Sequence, residues 1–296
     1  METGGIAERF RDKTILITGA TGFLGKLLVE KILRVQPEVR KLYLLVRAPD
    51  AIAAEERVLT EVVGNGLFDV LREQYGAGFH SFIKEKIYAL PGDVTHENFG
   101  LESYDILQLS QKVDIIVNGA ATTNFMERYD VALATNTTGV VHLCQFAKQC
   151  DNLKMVLHVS TDTWGYGDQR NDGSHKQLVY FQAYMILRYK VPLEMMRAAN
   201  VLLGGIYTKN YYELNRGYNI LMTVAKLYAP YVFFKGWFDD TNLRKLWKAT
   251  AMDQNDDASI FNFDPKCINW SSYLVNTHIP AAIKYANNQK TKARSA

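Results

Sequence analysis

Cysteine is scarce in this chain of 296 residues, and its scarcity excludes a disulfide framework. The three cysteines, Cys144, Cys150 and Cys267, form no CxxC pair. Because small secreted domains are held together by many closely spaced cysteines, this pattern favours a reducing compartment. Cys144 lies in an apolar run with helical spacing, where we expect a small core residue.

An excess of one charge sign is also absent. The formal net charge is +3 at pH 7, and the only basic concentration is a short tail, 284–294. Nucleic-acid recognition needs a concentrated basic patch, so we expect no nucleic-acid partner. The six histidines share no ligand spacing, so we expect no metal site.

Long apolar runs are missing as well, since no stretch reaches the roughly eighteen uninterrupted apolar residues of a membrane span. The run 218–238 comes nearest, but Lys226, Pro230 and Lys235 interrupt it, which leaves a peripheral membrane contact open. The first residues resemble neither a signal peptide nor a transit peptide. We expect a cytoplasmic protein, with attachment at the endoplasmic reticulum, a plastid location and a homo-oligomer left open.

The most informative stretch present is the motif TGATGFLG at 18–25, directly after the apolar run 14–17 and before helical spacing at 26–33. In a dinucleotide-binding βα unit, the three glycines allow a tight turn, a close approach to the pyrophosphate and close helix packing. The phosphates rest on the amides and dipole of the helix. The predicted cofactor-binding residues are Thr18, Gly19, Thr21, Gly22, Phe23, Leu24 and Gly25.

Strand and helix signals alternate through the first 161 residues. Five apolar runs of strand length, separated by helical stretches, predict an α/β fold with a Rossmann-like doubly wound parallel sheet. Strands in such a sheet are buried on both faces. The predicted strands are 14–17, 42–46, 87–91, 114–117 and 154–159, and the predicted helices include 26–33, 55–73 and 131–150.

The exit of the second predicted strand indicates which cofactor is bound. Enzymes that prefer NAD usually place a carboxylate there for the ribose 2′-hydroxyl, whereas this chain has Arg47 and no carboxylate before Asp50. A guanidinium can pair bidentately with a 2′-phosphate, so NADPH is the expected cofactor. A solvated arginine at a strand end is the alternative.

Two further strand ends carry candidate residues. Asp93 follows the third strand, where it can accept a hydrogen bond from the adenine amine or cap the turn after Thr95. Gly119, Ala120 and Ala121 end the fourth strand with small side chains, as expected where the backbone passes beneath a cofactor. Tight packing alone is the alternative explanation for these three.

The character of the sequence changes after about residue 175, where strand signals nearly vanish and helical spacing takes over, as in 221–228. A polar, glycine-containing stretch at 163–174 indicates a loop between the two regions. We therefore predict an NADP-binding Rossmann-like domain at 1–174 and a smaller, mostly helical C-terminal region at 175–296.

The phrases at the predicted strand ends together resemble an extended short-chain dehydrogenase/reductase. The finer resemblance is to the plant fatty acyl-CoA reductases, whose N-terminal phrases resemble 13–47 and 113–139 and whose helical C-terminal domain resembles 227–240 and 261–280. The resemblance covers nearly the whole chain except about 162–175. The strand-end phrases are TGATGFLG at 18–25, GDV at 92–94, NGAA at 118–121 and HVST at 158–161.

The resemblance implies NADPH-dependent reduction of a long-chain fatty acyl-CoA to a primary alcohol, with coenzyme A released and an aldehyde between two hydride transfers. It also implies a hydroxyl after the fifth strand that donates to the substrate oxygen. Ser160 and Thr161 match that position as catalytic candidates. Which of the two faces the site is left open, and a local cap at the strand exit is the alternative role.

The family also carries a Tyr-xxx-Lys pair, in which the tyrosine is the acid and the lysine lowers its pKa. This chain departs from that pattern, because it passes from Thr161 into the helical region without the segment that holds the pair. Its one Tyr-xxx-Lys pair, Tyr231 and Lys235, belongs to a C-terminal phrase, and we interpret it as coincidence. Tyr166 is a weaker candidate for the proton donor.

We therefore expect the first 161 residues to bind NADPH and the chain to reduce acyl-CoA poorly or not at all. A catalytically silent NADP-binding protein, regulatory or dimerising, is the alternative, and product formation with NADPH bound distinguishes the two. A sugar-nucleotide epimerase on the same fold is a third class, against which the C-terminal phrases argue.

Overall fold

A computed structural model describes residues 10–124, 127–160, 173–202, 204–232, 241–251 and 267–281 of the chain. The chain divides into two units, one formed by 1–161 with 241–296 and the other by 162–240. The domain boundary that we place at residue 174 from the sequence stays a prediction.

Five parallel strands form one sheet in the order β3-β2-β1-β4-β5. The strand order turns back at β1, which lies in the centre between β2 and β4, as a doubly wound sheet requires. The Rossmann-like α/β fold predicted from the sequence is confirmed. The strands are β1 Thr14–Thr18, β2 Lys41–Val46, β3 Ile87–Pro91, β4 Ile115–Asn118 and β5 Met155–His158.

Helices pack on both faces of this sheet because successive residues of each strand point to opposite sides. Ile15 and Ile17 belong to one buried cluster, with Val29 and Leu33 of the first helix. Leu16 belongs to a second cluster on the other face. The helices of this part are α1 Phe23–Val35, α2 Ala51–Arg57, α3 Asp69–Tyr75, α4 Phe79–Lys86, α5 Ser103–Lys112, α6 Tyr129–Leu133 and α7 Gly139–Ala147.

Shorter helical segments connect these elements. A π-helical segment, Val58–Val63, continues α2, and a second one, Ala134–Thr138, joins α6 to α7. The single helix predicted over 55–73 is wrong, because Gly64 ends the first part and the Asn65 side chain accepts from the Leu67 amide at 3.1 Å to start a new turn. The 3-10 turns are Gly66–Phe68, Gly76–Gly78 and Glu97–Gly100.

The fifth strand differs from the other four. We expect a strand buried on both faces, but Met155, Val156 and Leu157 are 44%, 43% and 46% exposed. β5 lies at one edge of the sheet and pairs with β4 alone among the described strands. Edge position alone does not explain the exposure, because β3 lies at the opposite edge and keeps Ile87 and Leu90 buried. Cys144 on the neighbouring helix α7 is also exposed, so its predicted place in the core is wrong.

The described residues beyond 172 are mostly helical, as the sequence predicts. The periodic stretch 221–228 lies within α10. Among the residues described beyond 160, the buried ones are Met185, Leu193 and Thr250. The helices are α8 Gly173–Met185, α9 Val191–Leu202, α10 Thr208–Val232, α11 Thr241–Ala251 and α12 Trp270–Tyr273, and π-helical segments are Ile186–Lys190 and Leu274–His278.

Candidate cofactor-binding site

The turn after β1 brings two backbone segments into contact. Gly19 has φ of +73°, and a Cβ added there would lie 2.5 Å from the carbonyl carbon of Gly119. Only glycine combines this left-handed backbone with such a close approach. The amide of Gly22 then donates to the Gly19 carbonyl at 3.0 Å, which closes the turn and starts α1 at Phe23.

The first turn of α1 is open to a ligand. Within the described residues no side chain caps this helix at Gly22, and its first turn holds no acidic residue. Helix α2 shows the contrast, since Oδ1 of its N-cap Asp50 accepts from the Ala53 amide at 2.8 Å. Free amides and the positive end of the helix dipole attract an anion, so the diphosphate of a dinucleotide fits this position.

A chain of hydrogen bonds joins the ends of β1, β4 and β5. The Ala120 amide donates to Oγ1 of Thr18 at 3.2 Å, and the Thr18 hydroxyl donates to Oδ1 of Asn118 at 2.5 Å. Nδ2 of Asn118 lies 3.0 Å from Nδ1 of His158. Sequence reasoning predicts Thr18 and Ala120 as site residues but misses Asn118 and His158, because their contact depends on the register of β4 and β5.

Arg47 is exposed at the exit of β2, and a second arginine fixes the backbone beneath it. Nη1 of Arg57 donates to the Arg47 carbonyl at 2.6 Å, and its other nitrogens donate to both carboxylate oxygens of Glu61, at 2.6 and 3.0 Å. The Arg57 guanidinium lowers the pKa of the Glu61 carboxyl. Sequence reasoning misses Arg57, although its spacing of one helical turn from Glu61 is visible in the sequence.

Asp93 and the loop after β4 complete this edge of the sheet. Oδ1 of Asp93 accepts from the Thr95 amide at 2.9 Å, which closes a local turn and does not cap the helical turn Glu97–Gly100, whose N-cap residue is His96. Oδ1 of Asn136 accepts from the Thr122 amide at 2.9 Å, and its Nδ2 donates to the Thr122 carbonyl at 3.1 Å, so this residue, missed from the sequence, holds the loop after Ala121.

The predicted site residues that the structure describes lie along the carboxyl ends of the parallel strands, where open α/β sheets bind their ligands. Ser160 follows β5 and is exposed. Thr161, Tyr166 and Lys235 lie outside the described residues. From β3 to β5 the edge carries Asp93, Arg47, the turn 18–25, Gly119, Ala120, Ala121 and Ser160.

Two family models match this chain. An NAD-binding domain model described as "Male sterility protein" matches residues 17–220, and the Sterile model, with the same description, matches residues 188–289. This chain belongs to the male sterility protein family. Its NAD-binding domain takes a nicotinamide dinucleotide, and the resemblance to plant fatty acyl-CoA reductases is confirmed.

The male sterility protein family relatives are named for reduction of fatty acyl-CoA. "Alcohol-forming fatty acyl-CoA reductase" of Simmondsia chinensis is 49% identical over 161 residues, 54% of this chain and 33% of that protein. "Fatty acyl-CoA reductase 1" of Arabidopsis thaliana is 27% identical over 482 residues, 94% of this chain and 98% of the relative. The alignment with the Arabidopsis protein spans 482 residues, whereas this chain has 296, so a large part of that protein has no counterpart in this chain.

Among solved structures, the terminal R domain from the myxalamid PKS-NRPS biosynthetic pathway is similar to this male sterility family chain. It is 27% identical, the similarity covers 51% of this chain and 35% of that chain, and the two superpose with a TM-score of 0.43.

In the described part of the chain, no three His, Cys, Asp or Glu side chains are grouped to hold a metal ion. None of the described helices combines the length and apolarity needed to cross a bilayer.

Proposed function

We propose that this chain binds NADPH along the carboxyl edge of its sheet and is a fatty acyl-CoA reductase of low turnover. The observation that carries the proposal is the uncapped start of α1 above the contact between Gly19 and Gly119. That arrangement fits a diphosphate, because the free amides at the start of α1 attract an anion and the absence of a side chain at residue 19 lets the two backbone segments approach.

The residues at the exit of β2 determine the selectivity for NADPH over NADH. Arg47 is exposed there, and Arg57 holds its carbonyl at 2.6 Å, so the Arg47 side chain starts from a fixed backbone. Arginine pairs bidentately with a phosphate, and an NAD-specific carboxylate is absent from 41–49. Charge-assisted pairing with the 2′-phosphate then distinguishes the two cofactors.

Substitution of Arg47 by Ser tests this selectivity. We expect NADPH to bind about tenfold to a hundredfold more weakly, because a hydrogen bond to a charged group contributes roughly 1.5–3 kcal/mol, and NADH binding to stay unchanged. The matched control is Arg40→Ser, since Arg40 is also exposed but precedes β2 at the opposite end of the strand. Equal weakening of both cofactors, measured by nicotinamide fluorescence, would contradict the assignment.

The names of the relatives support a long-chain fatty acyl-CoA as the substrate and a primary alcohol as the product. A bound reduced nicotinamide supplies hydride in such chemistry. The hydroxyl of Ser160 or that of Thr161 donates a hydrogen bond to the substrate carbonyl oxygen, where negative charge develops. The sequence holds no Tyr-xxx-Lys pair besides Tyr231 and Lys235, so the acid step is impaired. Loss of a general acid removes about two to four orders of magnitude in rate.

The decisive experiment incubates the purified chain with NADPH and palmitoyl-CoA and measures hexadecanol and hexadecanal by mass spectrometry. We expect NADPH uptake and slow product formation, with Fatty acyl-CoA reductase 1 of Arabidopsis thaliana as the positive control. Failure to take up NADPH would overturn the proposal, and turnover as fast as the control would refute the low rate.

A catalytically silent NADP-binding protein is the second candidate. The gap against the Arabidopsis relative favours it, because an acyl-CoA pocket and a proton donor need residues that this chain lacks. NADPH uptake with no hexadecanol or hexadecanal after prolonged incubation would select this candidate over the reductase. The homo-oligomer, the peripheral membrane contact and the compartment stay predictions.

A further inference from the structure

We propose that His158 is a positioning residue for the cofactor turn, acting through Asn118 and Thr18. This inference rests on the proposed binding of NADPH. The last residues of three neighbouring strands are in register, with Thr18 opposite Asn118 and Asn118 opposite His158. Their side chains form one line across the sheet, from the glycine turn to the exit of β5.

The two inner residues of this line are buried, so the loss of one of their hydrogen bonds would leave a buried polar atom without a partner. Thr18 is 1% exposed and Asn118 is 2% exposed, whereas His158 is exposed at the edge strand. A buried donor or acceptor without a partner is destabilising, so each atom of Thr18 and Asn118 needs its partner in place. His158 is the outer partner that completes the line.

The direction of the hydrogen bonds assigns the acceptor role to Nδ1 of His158. Oγ1 of Thr18 accepts from the Ala120 amide at 3.2 Å and donates its proton to Oδ1 of Asn118 at 2.5 Å. Nδ2 of Asn118 then faces Nδ1 of His158 at 3.0 Å and donates to it. Nδ1 must be unprotonated to accept, and the proton of the neutral imidazole lies on Nε2.

The line ends at the two backbone segments that face the cofactor. Thr18 immediately precedes Gly19, and its hydroxyl holds the amide of Ala120, which immediately follows Gly119. Gly19 and Gly119 are so close that a single Cβ would not fit between them. Releasing Asn118 therefore disturbs the diphosphate and nicotinamide end of the site and leaves Arg47, on β2, in place.

Two substitutions separate this role from simple packing. His158→Phe keeps an aromatic ring but removes the acceptor, and His158→Asn keeps an acceptor where Nδ1 lies. The matched control is Val156→Phe, because Val156 is 43% exposed on the same strand and on the same face, two residues away. It adds an exposed ring to β5 without touching the line of hydrogen bonds.

Calorimetry measures the affinity of each variant for NADPH and for adenosine 2′,5′-bisphosphate. The second ligand lacks the diphosphate and the nicotinamide. We expect His158→Phe to bind NADPH about three- to tenfold more weakly, the range of one lost hydrogen bond, and the bisphosphate unchanged. His158→Asn and Val156→Phe should bind both ligands as the native chain does. Native NADPH affinity in His158→Phe, or equal weakening of both ligands, would overturn the proposal.

Histidine nitrogen NMR of the ligand-free chain tests the hydrogen bond independently of cofactor binding. The His158→Asn spectrum identifies the His158 signals by their loss, and we expect Nδ1 to have the shift of an unprotonated acceptor. A protonated Nδ1 would overturn the proposal whatever the calorimetry gives. If the native chain takes up no NADPH, the proposed function fails and the positioning role with it, while this spectrum still decides whether the bond exists.

Discussion

At the scale of single residues, Gly19 is the position least able to accept a side chain. Its φ of +73° and the 2.5 Å that would separate an added Cβ from Gly119 predict that Gly19→Ala displaces the loop after β4. We expect NADPH binding to weaken at least about tenfold and the free energy of unfolding to fall by roughly 1–3 kcal/mol, the range for a strained backbone.

Gly78 provides the matched control for this prediction. Its φ is −79°, and a Cβ added there would meet nothing within 4 Å. Gly78→Ala should therefore keep both the NADPH affinity, measured by calorimetry, and the midpoint of thermal unfolding. If Gly19→Ala binds NADPH as well as Gly78→Ala does, the close approach of the two strand ends has no role in cofactor binding.

The cysteines differ in a way that alkylation can measure. Burial raises the pKa of the Cys150 thiol to about 11, so at pH 8 only about one thiol in a thousand is the reactive thiolate. Cys144 and Cys267 are exposed. We expect iodoacetamide at pH 8 to label these two and spare Cys150, as read from the masses of tryptic peptides.

The dependence of Cys150 labelling on pH and on unfolding provides the control for this prediction. Raising the pH toward 11 should increase labelling of Cys150, and unfolding the chain in guanidinium should make all three cysteines react at similar rates. Equal labelling of Cys144 and Cys150 in the folded chain at pH 8 would show that Cys150 is not buried against α7.

At the scale of elements, local pattern predicts most of the sheet. The apolar runs at β1 to β4 predict those strands because a buried strand can be recognised from the pattern of its own residues. The glycine motif likewise predicts the position of the turn before α1. The exposure of β5 and the bond from Asn118 to His158 could not be predicted, because they depend on which strands are neighbours and in what register. Arg57 illustrates the same limit, since its contact with the Arg47 carbonyl joins residues ten positions apart.

The exposed edge strand leads to a prediction about association. Leu157 is 46% exposed on β5, and β4 is its only partner among the described strands. Unpaired edges with apolar side chains pair with other chains, whereas a lysine on the edge prevents this. We expect sedimentation velocity to show concentration-dependent self-association of the native chain and a marked reduction of it in Leu157→Lys.

A matched substitution elsewhere on the surface separates the edge from general solubility. Ile52 on α2 is 80% exposed, so Ile52→Lys adds the same charge in place of an apolar side chain far from β5 in sequence. It should leave the association unchanged. A native chain that remains monomeric at all concentrations, or two lysine variants that behave alike, would contradict the role of the edge strand.

At the scale of the whole molecule, burial is distributed very unevenly. The two apolar clusters are built from residues between 15 and 146, on either side of the sheet. Among the residues described beyond 160, buried side chains are few, and apolar ones such as Val201 and Leu202 are 77% and 87% exposed. Among the described residues, most of the stabilisation by apolar burial therefore lies in the part of the chain that carries the cofactor site.

Hydrogen exchange should reveal this distribution directly. Amides of β1 and β4 lie in the centre of the sheet, and we expect them to exchange slowest, whereas amides of α8 and α9 should exchange far faster, because few buried contacts oppose local opening. Added NADPH should slow exchange further at 14–25 and 115–122 and leave 173–202 unchanged. Equal protection of both regions in the free chain, measured by mass spectrometry of peptic peptides, would mean that the helices beyond 172 are stabilised as strongly as the sheet.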